Sequence, residues 1–347
     1  MSVKLDLFAK WATRGGEYSH AKFWKEGILN KVMISAIYAR ERSANLRELM
    51  EADKNVIIFL DSGGFTVLRK NLVLNPIGIL RFQEQSGANI ASTLDYPISP
   101  QMSYKEKIER TKMTIKNAIM MLKLKQRDDL KLYASIHAWD LKSAKIITKK
   151  LSNYEFDGYA VGSLIPIRGN YSKITEIICG IKNSLRGKNV HCFGFSGIDG
   201  IFMAALLGIN SFDSTTYLTY AKYRHYIIPQ TGQRICLGQR VKTEKRYHLQ
   251  ELPCSCPICL KHTIKDFIQS NSRAVGLLSL HNLFVLVSYV KLINNALKNG
   301  FYGELLERRL RISPRLRNAW LTFKKINKDS PKIQKIDEYV LSKYYLS

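Results

Sequence analysis

The chain has 347 residues, of which 46% are hydrophobic, so it can form one large domain with an appendage or two domains. Lys and Arg number 54 against 28 Asp and Glu, which gives a formal net charge of +26. So large an excess predicts a polyanionic partner, either a nucleic acid or an acidic membrane surface. A solvated basic surface with no specific partner is the alternative.

No membrane or secretory segment is expected. The start, MSVKLDLFAKWATRGG, lacks the apolar core and small-residue cleavage site of a secretory signal. The most apolar run, 277–290, is interrupted by His281 and Asn282 and is too short to span a bilayer, which predicts a buried helix. Three of the six cysteines lie close together, unlike a disulfide framework. The sequence therefore predicts a reducing, cytoplasmic setting and no membrane partner.

Short apolar segments alternate with longer amphipathic ones, which predicts strands followed by helices. The predicted strands are 32–38, 55–60, 89–94, 131–136, 158–162, 189–195 and 209–212. The predicted helices are 103–124, 141–151, 172–185 and 200–207. This alternation favours a parallel sheet, and about seven units in roughly 220 residues suit a (β/α)8 TIM-like barrel. An open doubly wound sheet is the alternative, although no G-x-G-x-x-G follows the first predicted strand.

Ionisable side chains recur where the predicted strands end. One acid after a strand is ordinary turn chemistry. Several at the carboxyl ends of separate strands indicate instead an active site, because barrel enzymes build their sites on that face. The candidates are Asp61 with Ser62 after 55–60, Asp95 after 89–94, His137 after 131–136, and Asp213 after 209–212.

The composition changes after about residue 214. The segment 221–250 is basic and rich in Tyr, and it is followed by a cysteine cluster, the apolar helix and a basic tail from about residue 291. We therefore predict two domains. Residues 1–220 would form the barrel core that carries the acids, and residues 221–347 a basic, zinc-binding helical subdomain that completes the barrel.

The cysteine cluster has the spacing of a metal site. Cys254, Cys256 and Cys259 supply three thiolates, and His262 or His281 could supply the fourth ligand. We favour His281, because His262 is very close to Cys259 and a His in an apolar helix otherwise needs a buried partner. Three thiolates and one imidazole predict a closed, structural zinc site that performs no chemistry.

Taken together, these motifs resemble the tRNA-guanine transglycosylase superfamily. The resemblance rests on DSGGF (61–65), LD (94–95), AVG (160–162), GINSFDS (208–214) and C-x-C-x2-C followed by HN (281–282). It extends over about residues 55–290. It implies a (β/α)8 barrel with a zinc-binding subdomain, and an enzyme that exchanges guanine for a 7-deazaguanine without cutting the sugar–phosphate chain.

The resemblance also implies a role for each motif residue. Asp213 would be the nucleophile that attacks C1′, and Asp61 the general acid/base with Ser62 beside it. Asp95 would recognise the guanine edge through N1 and N2. The remaining implied residues are Gly162, lining the base pocket, His137, in the place of a base-contacting amide, and Cys254, Cys256, Cys259 and His281, binding zinc.

The chemistry of base exchange, considered apart from the resemblance, also calls for three carboxyl groups. Replacing a base with retained configuration takes two inversions through a covalent glycosyl-enzyme, for which retaining glycosidases use a carboxylate nucleophile and a second carboxyl as acid and base. The leaving base must gain a proton and the incoming base must lose one, so a single group can serve both halves. A third carboxylate can accept hydrogen bonds from guanine, whereas adenine offers none at those positions.

Several residues depart from the family pattern, and they bear on whether the substrate is RNA or DNA. Thr66 replaces a Gln after DSGGF, Ile136-His137-Ala138 replaces a V-Q-G strand end, and the segment after Asp213 differs from that of the tRNA enzymes. With no RNA-binding module evident near the C-terminus, these departures favour the DNA-acting branch, which inserts a deazaguanine such as 7-cyano-7-deazaguanine and works with partner proteins of a DNA-modification system. A tRNA-guanine transglycosylase is the alternative. A noncatalytic nucleic-acid-binding subunit is a further alternative, against which the three retained acids argue.

Overall fold

The computed structural model of this chain describes residues 4–11, 22–43, 45–66, 74–185, 187–195, 197–237 and 252–328. Eight parallel strands close into a barrel, because β8 pairs with β1 and places Phe8 opposite Asp213. The predicted (β/α)8 barrel is therefore confirmed. The strands are β1 Asp6–Lys10, β2 Lys31–Ser35, β3 Ile57–Asp61, β4 Ile90–Ser92, β5 Lys131–Ile136, β6 Gly158–Val161, β7 Asn189–Cys192 and β8 Ser211–Ser214.

Helices follow most of these strands and cover the outside of the barrel. Two begin with a reciprocal capping box, at Ser103 with Glu106 and at Asp140 with Ser143, which satisfies otherwise unpaired amides of the first turn. A short 3-10 turn, Ile165–Ile167, follows β6. The α-helices are α1 Ala36–Arg40, α2 Leu46–Met50, α3 Pro76–Gln85, α4 Tyr104–Leu124, α5 Leu141–Leu151, α6 Tyr171–Lys182, α7 Gly197–Leu206 and α8 Thr216–Lys222.

The inside of the barrel is a packed core. Phe8, Met33, Phe59, Tyr133 and Ala160 form one buried cluster contributed by five different strands. Inward and outward side chains alternate along each strand, so the other apolar residues of the strands pack beneath the helices. A filled interior leaves room for a substrate only at the ends of the strands.

The chain beyond the barrel adds two short antiparallel strands, β9 His225–Ile227 and β10 Arg234–Cys236, and four helices. These helices are α9 Ile264–Ile268, α10 Ser272–Asn299, α11 Tyr302–Ile312 and α12 Pro314–Ile326. Helix α10 packs along α8 and contacts α7 and β1, and α12 packs along α6. The predicted domain boundary at residue 220 stays a prediction, and parts of the predicted basic regions (238–250 and 329–347) lie outside the described residues.

Helix α10 contains the apolar run noted in the sequence. By length and composition it is the one helix among the described residues that could cross a membrane, but 56% of its most apolar stretch is buried inside the protein. His281 and Asn282, which interrupt that run, are themselves fully buried and hydrogen-bonded to β9. The helix thus has the buried face that its sequence predicted.

The structure differs from the predicted elements in several places. Strand β1 was not predicted, because DLFAK has only three apolar residues between two charges, and helix α3 was not predicted either. The predicted strand 32–38 ends at Ser35, where α1 begins. The predicted strand 189–195 ends at Cys192, because Gly194 with φ +76° turns the chain out of the barrel. Strand β8 begins and ends two residues later than the predicted 209–212, so Asp213 lies inside it.

Candidate active site and metal centre

The polar residues predicted from separate strands meet at the carboxyl-terminal mouth of the barrel. Asp61 ends β3, Asp95 follows β4, and His137 follows β5. Asp213 is the last residue but one of β8. Ser62 and Gly162 join the same group, through Asp95 and His137 respectively. The grouping follows from topology, since parallel strands of one barrel present their carboxyl ends on one face.

Asp61 is held where a buried strand turns sharply. The residues of β3 before it are apolar, and Gly63 reverses the chain with φ +90°, a left-handed conformation that glycine adopts without strain. The Gly63 N–H donates to Asp61 Oδ1 at 3.2 Å, and Lys10 Nζ lies 3.6 Å from Asp61 Oδ2. Burial raises the pKa of Asp61, and the neighbouring Asp95 and Asp213 add to that effect, although Lys10 opposes it. Asp61 is therefore suited to holding a proton.

The pKa of Asp213 is shifted in the opposite direction, downward. Its side chain is buried, and its Oδ1 accepts a hydrogen bond of 2.8 Å from the Gly194 N–H. His191 Nε2 lies 3.7 Å from the same oxygen. Burial alone would raise the pKa of Asp213, but His191 and Lys10 outweigh it and the net pKa is lowered. An ionised carboxylate beside a carboxyl of raised pKa is the pairing that divides nucleophile from acid in retaining glycosyl transfer.

Two residues of this cluster were missed by the sequence analysis. Lys10 ends β1, and its ammonium lies 3.6 Å from Asp61 Oδ2; Asp61 and Asp213 both raise its pKa against the effect of burial. His191 is fully buried in the barrel, with Nδ1 2.9 Å from Ser211 Oγ. Burial lowers the pKa of His191 and Asp213 opposes that shift, and the ring Nε2 lies 3.7 Å from Asp213 Oδ1, longer than an ordinary hydrogen bond. The available signal for Lys10 was a charged residue closing a short apolar segment, as at the other strand ends.

Asp95 is fixed by a chain of hydrogen bonds. Ser62 Oγ donates to Asp95 Oδ1 at 2.6 Å, and His137 Nε2 lies 2.8 Å from Asp95 Oδ2. On the other side of the imidazole, Ser163 Oγ lies 2.9 Å from His137 Nδ1 and accepts from the Ile98 N–H at 2.8 Å. A carboxylate can only accept, so His137 Nε2 carries the proton and donates to Asp95, and in this tautomer Nδ1 accepts from the Ser163 hydroxyl. Each Asp95 oxygen keeps a lone pair for a ligand.

Two glycines allow the close packing of this network. A Cβ at Gly64 would lie 2.1 Å from Asp95 Oδ1, and a Cβ at Gly162 would lie 2.5 Å from His137 Cε1. Neither position can carry a side chain without moving the residue that it faces. Gly162, predicted to line the base pocket, therefore also sets the position of the His137 ring.

The metal centre lies between the β9–β10 hairpin and α10. One ligand atom each from Cys254, Cys256, Cys259 and His281 lies within 4.8 Å of all the others, and Cys259 Sγ is 3.3 Å from His281 Nδ1. Four such donors can hold one metal ion in a closed tetrahedral site. His262, the other candidate from the sequence, is absent from the cluster and lies 3.9 Å from Asp266.

Residues around the cluster orient its histidine. His281 Nε2 donates to the Ile227 carbonyl at 2.9 Å, which leaves the Nδ1 lone pair facing the sulfur atoms. The Tyr226 ring stacks on the imidazole with centroids 3.8 Å apart. Asn282 accepts from the Ile227 N–H at 3.0 Å and donates to the His225 carbonyl at 2.9 Å, tying α10 to β9. The His-Asn pair of the sequence thus has one residue in the cluster and one holding the adjacent strand.

Comparison with known proteins agrees with this geometry. A family model described as queuine tRNA-ribosyltransferase matches residues 28–315. The tRNA-guanine(15) transglycosylase of Methanococcus aeolicus is 29% identical over 310 residues, covering 84% of this chain and 46% of its own. The enzyme of the same name from Methanocaldococcus jannaschii is 28% identical over 319 residues (86% and 47%), and that from Methanococcus vannielii is 30% identical over 313 residues (84% and 46%). The chain spans about half the length of these curated relatives.

Proposed function

The chain belongs to the queuine tRNA-ribosyltransferase family, of the tRNA-guanine transglycosylase superfamily, and from that membership we propose that it is a guanine transglycosylase. Such a pentosyltransferase exchanges the base at C1′ of a nucleotide within a nucleic acid. One observation carries the proposal: at the barrel mouth the buried Asp213 has a lowered pKa and the largely buried Asp61 a raised one, and the Lys10 ammonium acts on both.

In the first half of the proposed reaction, guanine leaves. The ionised Asp213 attacks C1′ and forms a glycosyl ester while the bond from C1′ to guanine N9 breaks. The electron pair of that bond goes to the base, and Asp61 supplies the proton that makes neutral guanine. The raised pKa of Asp61 keeps that proton available, and the lowered pKa of Asp213 keeps the nucleophile ionised.

In the second half, the same residues work in reverse. The incoming base gives a proton to the ionised Asp61, its nitrogen attacks C1′, and Asp213 leaves as a carboxylate. Two inversions at C1′ retain the configuration of the sugar.

Asp95 would recognise the base. Its two oxygens are held in place by Ser62 and His137, and their remaining lone pairs can accept from guanine N1–H and N2–H. Adenine has no donors at these positions, and a carboxylate fixed in advance loses little freedom when guanine binds. The proposed incoming base is a 7-deazaguanine, which presents the same edge as guanine.

Zinc is the metal we propose for the four-residue cluster, since three thiolates and one imidazole with no open position are typical of structural zinc. When bound, zinc would fix the β9–β10 hairpin to α10. Because the cluster is separate from the carboxylates, we propose no chemical step for it.

For the polymer, tRNA now has better support than the DNA predicted from the sequence. The relatives reported above are named for guanine 15 of tRNA, so we propose a guanine of tRNA as the target. DNA, with insertion of 7-cyano-7-deazaguanine and partner proteins of a DNA-modification system, is the second candidate. It rests on Thr66, on Ile136-His137-Ala138 and on the segment after Asp213. The net charge of +26 suits both polyanions.

The test is exchange of radiolabelled guanine into three polymers by the purified protein. These are a tRNA transcript, the same transcript with adenine in place of guanine 15, and single-stranded DNA containing guanine. We expect label in the first transcript only, and none with Asp213→Asn. Label in DNA but in neither transcript would replace tRNA with DNA as the target. No label in any polymer would refute the proposed transglycosylase activity of this chain.

A further inference from the structure

Among the described residues, Lys10 is the cation that forms an ion pair with Asp61. It ends β1, which lies beside β8 in the barrel, and its side chain is one-third exposed. Its Nζ is 3.6 Å from Asp61 Oδ2, and the negative charge of Asp213 also acts on it. The hydrogen bond of 3.0 Å from Tyr217 Oη to the Lys10 carbonyl fixes the backbone from which the side chain extends.

We propose that Lys10 is a positioning residue, the shared counter-ion that pairs with Asp213 before the covalent step and with Asp61 after it. This inference rests on the proposed function and deepens it. Before the step, Asp213 is ionised, Asp61 is protonated and Lys10 is cationic. After it, Asp213 is a neutral ester, Asp61 is ionised and Lys10 is still cationic. One carboxylate faces one ammonium in both states, so the step creates no uncompensated buried charge.

The other charged and titratable groups around these side chains do not change in this step. Asp95 keeps its hydrogen bonds to Ser62 and His137. His191 lies 3.7 Å from Asp213, and burial lowers its pKa, which disfavours its cationic form. Tyr38 adds only a weak electrostatic effect on Lys10. Lys10 is therefore the cation among the described residues that acts on both carboxyl groups.

Removing the ammonium should shift the pKa values of both carboxyl groups in the same direction. Lys10 lowers the pKa of Asp61 and of Asp213, so its loss raises both. Activity requires ionised Asp213 and protonated Asp61, and the acid limb and the alkaline limb of the pH profile should both move to higher pH. If Lys10 only supported the fold, its substitution would lower activity at every pH without shifting the acid or the alkaline limb of the pH profile.

The experiment compares Lys10→Met and Lys10→Gln, which remove the charge, with Lys10→Arg, which keeps it. Lys131→Met is the matched control, because Lys131 begins β5 at the opposite end of the barrel. Guanine exchange is measured across pH, together with zinc content and melting temperature. We expect the neutral variants to lose about 100-fold or more in kcat, with KM changed by less than about threefold. Both limbs should move to higher pH, and Lys10→Arg should keep the wild-type limbs.

Folded neutral variants with unmoved limbs, or with kcat within about threefold of wild type, would overturn the role of Lys10 while leaving the transglycosylase intact. If both neutral variants failed to fold, a Lys10→Arg profile with displaced limbs would overturn it as well, and unmoved limbs in that variant would support it. Absence of exchange in both the wild type and Lys131→Met would instead refute the proposed function on which this inference rests.

Discussion

The imidazole of His137 donates a hydrogen bond of 2.8 Å from Nε2 to Oδ2 of Asp95, and both side chains are buried where neighbouring strands end. On the other side of the ring, Ser163 Oγ lies 2.9 Å from Nδ1 and accepts a hydrogen bond from the Ile98 N–H. A hydrogen bond to a charged group contributes about 1.5–3 kcal/mol. The pair therefore holds the carboxylate in one orientation before any base is present.

His137→Ala should weaken guanine binding more than it slows the chemistry. Without the imidazole, Asp95 loses one of the two side chains that orient it, and we expect KM for guanine to rise about tenfold, equivalent to ~1.4 kcal/mol. Steady-state kinetics with guanine as the varied substrate measures this. Ser163→Ala, one bond further away, should show a smaller rise. An unchanged KM with a greatly reduced kcat would assign His137 to the chemistry instead.

Asp213→Asn should abolish base exchange while leaving the fold and zinc content unchanged. The amide has the same shape as the carboxylate but is not a nucleophile, so no glycosyl ester can form. Wild type stalled without an incoming base should give a protein–nucleic acid adduct that survives denaturing electrophoresis. Asp129→Asn, at an exposed site near the amino-terminal end of β5, is the control and should keep the adduct. An adduct in Asp213→Asn would mean that another residue is the nucleophile.

Exchange should follow a bell-shaped pH profile. The pKa of Asp213 is lowered, so activity rises as the pH increases through that value and the nucleophile ionises. The pKa of Asp61 is raised, so activity falls as the pH increases through that value and the acid is lost. The plateau should lie between the two, as measured by kcat/KM across pH. Asp61→Asn should lower kcat/KM by about 100- to 10,000-fold, and its pH profile should have no alkaline limb. An alkaline limb that persists in Asp61→Asn would belong to another group.

The sequence predicted the barrel and most of its site because periodicity and turn chemistry are local signals. Strand β5 and helix α5 have the predicted bounds, and the acid that ends β3 and the acid that follows β4 lie where barrel topology requires. Lys10 and His191 could not be predicted in the same way. Lys10 ends a strand too short and too charged to be recognised, and His191 becomes important only through β7 lying beside β8. Contacts made by tertiary packing leave no local pattern.

The choice between RNA and DNA could not be predicted from the sequence for a different reason. Of the departures from the family pattern, His137 contacts Asp95, the residue proposed to recognise the base. Discrimination between RNA and DNA depends on contacts to the 2′-hydroxyl, for which the sequence has no simple pattern. The relatives found by comparison, named as tRNA enzymes, therefore weigh more than those departures.

Loss of one metal ligand should lower stability first and activity only as a consequence. We expect about one zinc per chain in the wild type, and little or none in Cys256→Ser or His281→Ala. His281 is fully buried, so its removal also leaves a cavity beside Tyr226. Each kcal/mol lost should lower Tm by roughly 2 °C in a domain of this size. His262→Ala is the matched control and should keep both zinc and Tm. Full zinc content in His281→Ala would leave the fourth ligand to be found.

Gly64→Ala should reduce exchange severely without changing the metal centre. The added Cβ would lie 2.1 Å from Asp95 Oδ1 and 2.7 Å from the Asp95 carbonyl oxygen. Contact with the backbone prevents relief by a rotamer change alone, so the carboxylate must leave the position set by Ser62 and His137. A displacement of about 1 Å at a reacting or recognising group can cost about 100-fold in rate, and we expect a loss of that order in kcat/KM for guanine. Gly303→Ala is the control, because its Cβ meets nothing within 4 Å and it lies in helix α11. Zinc content and Tm report whether the fold is kept. Wild-type kinetics in a folded Gly64→Ala would show that Asp95 does not have to occupy this position, and would remove it from base recognition.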